Sequence, residues 1–142
     1  MKKKTLRPFH LAFPVNNIEN TIIWYEKNLL CTVGRKDDKW VDLNFFGHQI
    51  SAHLVEDIDT KIQTNPVDGH QIPSRHFGII LEPNQWEELA EKLKDNNINF
   101  IIKPSTRFKG CTGEQSTMFV RDPSGNVLEF KSFKDDKMIF ST

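Results

Sequence analysis

Hydrophobic residues along this chain recur with period two, then with helical spacing, then with period two again. In PFHLAFPV, residues 8–15, Phe9, Leu11, Phe13 and Val15 alternate with His10, Ala12 and Pro14, which predicts a strand with two unlike faces. NNIENTIIWYEKNLL follows, with Ile18, Ile22, Tyr25 and Leu29 on one helical face. Asn16 or Asn17 suits its cap, and Glu19 suits its positive first turn. Three strands are then predicted at CTVGRK (31–36), KWVDLNF (39–45) and HQISAHLV (48–55), with Gly47 supplying the last turn.

The same order returns downstream. RHFGIILE (75–82) sets Phe77, Ile79 and Leu81 against His76, Gly78 and Ile80. PNQWEELAEKLKDNN starts with Pro83 and aligns Trp86, Leu89 and Leu93, which predicts a second helix. NINFIIK (97–103), QSTMFVRD (115–122) and NVLEFKSF (126–133) read as strands. The last two flank DPSG, with Asp122, Pro123 and Gly125 at the places a type I turn prefers. PSTRFKGCTGE reads as a loop. Residues 56–74, with Pro66, Gly69 and Pro73 and no sustained period, read as a connector that is long for structureless chain. The expected fold class is therefore α+β, two βαβββ modules in one domain spanning residues 1–142. Module one covers about 7–55 and module two about 75–133, with a peripheral tail at 134–142.

Composition narrows the function classes. Nineteen basic and nineteen acidic residues cancel, so no global field recruits nucleic acid or an anionic membrane. No apolar run reaches the roughly 20 residues that span a bilayer. The basic start MKKK has no long apolar stretch behind it, so a cytoplasmic location is expected rather than secretion. Cys31 and Cys111 form no metal-type or redox-type spacing and are expected as reduced thiols.

Candidate chemistry sits on the faces opposite the apolar ones. His10 lies beside Ala12, and His76 beside Gly78, so each histidine has a small neighbour and room above it. In the last strand Glu129 shares a face with Val127 and Lys131, while Leu128 and Phe130 take the other. A carboxylate in so apolar a strand must be paired, hydrogen-bonded or metal-bound. If the halves face each other, His10, His76 and Glu129 form the two-imidazole, one-carboxylate set that leaves positions open on a divalent metal. The bland alternatives are hydrogen-bonded structural histidines and a surface salt bridge. His53, on one face of its strand with Ser51, is a further candidate as ligand or acid/base. Trp40, Asp42 and Asn44 share a face that suits a pocket lining. Phe119 and the loop around Arg107 and Phe108 suit walls or a lid, and His48 a turn or rim.

The segments FHLAFPVNNIENTIIWYEKNLL, RHFGIILEP and FVRDPSGNVLEF carry a resemblance. Over residues 7–133 the chain resembles the vicinal oxygen chelate superfamily, which includes glyoxalase I, extradiol dioxygenases, and fosfomycin- and bleomycin-resistance proteins. It looks most like a small, extradiol-dioxygenase-like branch. The resemblance implies two βαβββ modules whose mixed sheets curl around a metal cleft. It implies metal ligands at His10, His76 and Glu129; beside such a site His53 is expected as the catalytic acid/base, since imidazole exchanges protons near neutrality. The metal implied is iron(II), with manganese(II), zinc(II) or nickel(II) as alternatives. The partners implied are a small-molecule substrate with adjacent oxygens and a second copy of the chain in a homodimer. The chain departs from the glyoxalase branch in having no acid on the expected face of the fourth strand of module one. It departs from larger extradiol enzymes in that its sole tyrosine, Tyr25, reads as helix core. Other metal-dependent lyase, isomerase or transferase chemistry, or metal-free binding of a small molecule, are the alternatives.

Overall fold

In a computed structural model, which describes residues 5–58 and 62–142, the chain divides into two compact units, 1–58 and 59–142. The first unit holds β1 (His10–Val15), α1 (Ile18–Leu29), β2 (Thr32–Lys36), β3 (Trp40–Phe45) and β4 (His48–Leu54). Its sheet runs β1-β4-β3-β2, with β1 parallel to β4 and the other pairs antiparallel. Asn17 caps α1 through Oδ1, which accepts from the Asn20 amide at 2.8 Å. Leu30 ends the helix in a left-handed conformation. Ile18, Ile22, Tyr25 and Leu29 are all buried, and with Phe13, Val15, Val41, Leu43 and Ile50 they join the buried apolar set of this unit. Tyr25 packs against Phe13 and Trp24 and has no solvent exposure, as a helix core residue should.

The second unit opens with an element the periodicity did not reveal. Residues expected to be a connector form a hairpin, β5 (Thr64–Val67) and β6 (His70–Pro73). Asp68 and Gly69 make the turn, both with positive φ (46° and 81°), as an Asp-Gly hairpin turn requires. After it come β7 (Phe77–Ile80), α2 (Pro83–Asp95), β8 (Phe100–Arg107), β9 (Gln115–Arg121) and β10 (Val127–Phe133), then a short 3-10 turn at Asp136–Met138. The sheet runs β7-β10-β9-β8, which repeats the order of the first unit strand for strand. Several boundaries differ from expectation, two of them near the site. His76 lies just before β7 rather than within it, and β8 runs on through Pro104 to Arg107 into the expected loop. The Trp86 indole on α2 donates to the Phe130 carbonyl of β10 at 2.9 Å, which fastens helix to sheet.

The DPSG turn forms as expected. The Gly125 amide donates to the Asp122 carbonyl at 3.1 Å, and Asp122 Oδ1 accepts from the amides of Ser124 and Asn126. Among the described residues no helix is long and apolar enough to cross a membrane.

Candidate functional site

Glu129 stands in β10 between Gly78 of β7 and Phe119 of β9. Its side chain is only 12% exposed, so both carboxylate oxygens need partners. Thr117 Oγ donates to Oε2 at 2.6 Å, and His76 Nε2 lies 3.2 Å from Oε1. The His76 ring is itself held from behind, with Nδ1 2.8 Å from the Pro73 carbonyl at the end of the hairpin. It also lies 5.4 Å from the Phe119 ring.

The protons follow from these partners. A backbone carbonyl only accepts, so Nδ1 carries the hydrogen. A neutral imidazole then has its lone pair on Nε2, aimed at a carboxylate oxygen that also has only lone pairs. A proton, on the ring or on the carboxyl, or a cation must lie between them. A metal ion fits this edge. Two donors at about 2.0–2.2 Å from one ion, at angles between square and tetrahedral, sit about 2.8–3.6 Å apart. The Pro73 carbonyl and the Thr117 hydroxyl are the kind of outer partners that orient a ligating histidine and carboxylate. The pair faces a cleft of about 220 Å³ lined by His76, Phe77, Gly78, Ile79, Ile80, Glu129 and Lys131. Among the described residues no three His, Cys, Asp or Glu gather into a metal-holding group.

Gly78 is required for this arrangement. A Cβ there would lie 1.5 Å from the Glu129 carbonyl oxygen, so only glycine lets β7 run so close to β10. Val127, expected on the open face, is instead buried with Ile72, Ile102 and Phe119. The hairpin supplies Ile72, so the unforeseen element covers that end of the sheet. Phe119 is thus a core residue that also backs His76. Arg107 pairs with Asp68 of the hairpin turn at 3.4 Å and stacks on Phe108.

In the first unit His10, Ala12 and Pro14 of β1 align with Gln49, Ser51 and His53 of β4, and these with Asn44, Asp42 and Trp40 of β3. All nine therefore share one face. His10 is exposed, with Nδ1 2.8 Å from Gln49 Oε1. His53 is exposed beside Trp40. His48 accepts the Phe9 amide on Nδ1 at 2.8 Å. The internal repeat identifies Ser51 as the counterpart of Glu129, because Ala12 faces Ser51 as Gly78 faces Glu129. The acid missing from this strand stands one strand over. Ser51 Oγ donates to Asp42 Oδ1 at 2.6 Å, and Asp42 is buried. Arg35 Nε lies 3.8 Å from Asp42, and its guanidinium lies 5.8 Å from the Trp40 ring. A bulge puts it there. Val33 faces Leu43 but Lys36 faces Val41, so Gly34 and Arg35 both oppose Asp42. Simple alternation along β2 gave no sign of this.

A family model described as the Glyoxalase/Bleomycin resistance protein/Dioxygenase superfamily matches residues 7–130. The chain belongs to this superfamily. Among solved structures, this glyoxalase-superfamily chain is similar to a glyoxalase/bleomycin resistance protein/dioxygenase from Alicyclobacillus acidocaldarius. The two share 33% identity with a TM-score of 0.80, over 94% of this chain and 96% of that one. It is also similar to a virulence protein of Salmonella typhimurium, 23% identical over 124 residues, 87% of this chain and 82% of the relative. A genomically encoded fosfomycin resistance protein from Listeria monocytogenes shares the fold, with a TM-score of 0.66 at 12% identity, over 95% of this chain and 98% of that one. The repeated βαβββ order and the superfamily assignment agree. The family description spans several chemistries, so the residues of the site have to separate them.

Proposed function

We propose that this chain is a divalent-metal-dependent enzyme acting on a small molecule with two adjacent oxygens, of the extradiol dioxygenase type. His76, Glu129 and His10 would hold the metal, iron(II) by preference. The observation that carries the reading is the pair of His76 Nε2 and Glu129 Oε1, 3.2 Å apart, with the ring proton committed to Pro73. The replacement of a fourth carboxylate by Ser51 favours a three-ligand set, which leaves positions open for substrate and dioxygen. Bound iron(II) would orient the two substrate oxygens and pass electron density between substrate and dioxygen.

The chain's own residues do the rest. Pro73 and Thr117 fix the orientation of the donors. Ile80, which lines the cleft opposite Lys131 on the face of Glu129, offers apolar surface to a ring. His53, exposed on the face that carries His10, is the proposed acid/base that takes a hydroxyl proton from the diol and returns it to the opened product. Both atoms of dioxygen enter the product, and the carbon–carbon bond next to the diol breaks.

Oxygen consumption tests this. Protein loaded with iron(II) under anaerobic conditions is mixed with a panel of substituted catechols, beside methylglyoxal–thiol and epoxide substrates. Uptake of one dioxygen per catechol, with a ring-cleavage chromophore, is the expected result. Turnover only of the thiol adduct or the epoxide would place the chain in another chemistry of the superfamily. Ligand-induced stabilisation without metal and without turnover would make it a binding protein.

A further inference from the structure

We propose that Gln49 is the positioning residue of His10, holding the ring with its proton on Nδ1 and its lone pair on Nε2. The inference rests on the reading of His10 as a ligand but concerns a residue that reading does not include. His10 and Gln49 are directly opposed in the parallel β1–β4 pairing, with Nδ1 2.8 Å from Oε1. An amide oxygen only accepts, so the ring must donate.

The two units reach one result by different means. His76 donates Nδ1–H to a backbone carbonyl at 2.8 Å, and His10 donates Nδ1–H to a side-chain carbonyl at 2.8 Å. Both rings therefore present Nε2. A neutral imidazole can ligate through either nitrogen, and the hydrogen bond made by the far nitrogen sets which one is presented. No substitution removes the carbonyl of Pro73. Gln49 is exposed and can be replaced without opening the core, so the device is testable in the first unit.

The test uses the full chain, metal-free and labelled with nitrogen-15 in histidine, at about pH 8.5, where imidazole is neutral. Long-range proton–nitrogen correlations report the tautomer, and loss of one signal set in His10→Ala assigns the ring. The expected result is the Nδ1–H form of His10 in the wild type. Gln49→Leu should move the ring toward the Nε2–H form, and Gln49→Glu, which keeps an acceptor, should restore Nδ1–H. Calorimetric titration with manganese(II) should then show binding roughly 10-fold weaker in Gln49→Leu and near wild type in Gln49→Glu. An Nε2–H form in the wild type, or a tautomer unchanged by Gln49→Leu, overturns the proposal. So does measurable manganese(II) binding that is equal in all three proteins. A tautomer that responds as expected in a wild type that binds no manganese(II) sinks the ligand reading of His10 and upholds the Gln49 contact.

Discussion

Replacing Gly78 with alanine puts a methyl carbon where β10 already has its backbone. The new Cβ would lie 1.5 Å from the Glu129 carbonyl oxygen, 2.6 Å from its carbonyl carbon and 3.1 Å from its nitrogen. Cβ atoms essentially never sit within 3.0 Å of such atoms, so β7 and β10 must part by at least the missing 1.5 Å. The clash is with backbone, so no rotamer relieves it. Overpacking of this kind costs about 1–3 kcal/mol, and each ladder hydrogen bond lost adds about 1 kcal/mol. Reduced freedom of the unfolded chain returns about 0.5–1 kcal/mol. The net is roughly 2–3 kcal/mol, or a fall in Tm on the order of 5–10 °C for a chain of this size. The counterpart Ala12, opposite Ser51, already carries a Cβ, so Ala12→Gly should cost only about 0.5–1 kcal/mol. Thermal melts followed by circular dichroism compare the two. Glu129 moves with its strand, so Gly78→Ala should also weaken manganese(II) binding. A melting temperature within 2 °C of wild type (about 1 kcal/mol or less) would refute the close approach of β7 to β10.

Other perturbations probe separate parts of the account. Ser51→Ala removes the hydroxyl donor to the buried Asp42 carboxylate and should cost about 1–3 kcal/mol in urea unfolding, whereas Ser51→Thr should recover part of it. Ile72→Ala opens a cavity beneath the hairpin beside Val127 and should cost about 2–5 kcal/mol, a loss that a structureless connector would not show. Burial, and then the negative charge of Glu26, push the Cys31 thiol up to about 12 from 9.0. Its stabilising contribution is complete below pH 9.0, where the unfolded thiol is still protonated, and declines as pH rises toward about 12. That span corresponds to at most about 4 kcal/mol at about 1.4 kcal/mol per pH unit. Iodoacetamide at neutral pH should accordingly label exposed Cys111 and spare Cys31 in the folded protein, with both labelled after unfolding.

Alternation and helical spacing were enough to place both βαβββ units, because each strand buries one face and each helix one stripe. Phe13 and Val15 against His10 and Pro14 show this directly. The hairpin at 64–73 was missed because two four-residue strands are too short to establish a period. The Asp68–Gly69 pair, flanked by Pro66 and Pro73, is the two-residue hairpin signal that marks this element in the sequence. The strand through Pro104 was missed for a similar reason, since proline at the sheet's edge strand breaks no ladder bond that matters. In the site, the placement of His10 opposite the apolar face of its strand, and of Glu129 opposite Leu128 and Phe130, was legible from side-chain alternation. The partners that fix them were not. Pro73 acts through its carbonyl, which no sequence pattern marks, and Thr117 and Gln49 depend on cross-strand register. Arg35 reaches Asp42 only because a bulge shifts β2 by one residue.

The central claim, that His76 and Glu129 are metal donors joined by His10, is tested most directly by metal content. Protein purified anaerobically, stripped, reloaded with iron(II) or manganese(II) and dialysed would be assayed by mass spectrometry, alongside His10→Ala, His76→Ala and Glu129→Ala. The account predicts about one ion per chain in the wild type and a loss of affinity of at least about 10-fold in each variant, with the fold intact by circular dichroism. A wild type that retains no metal, or variants that retain as much as the wild type, would contradict it and leave His76 and Glu129 as a structural ion pair.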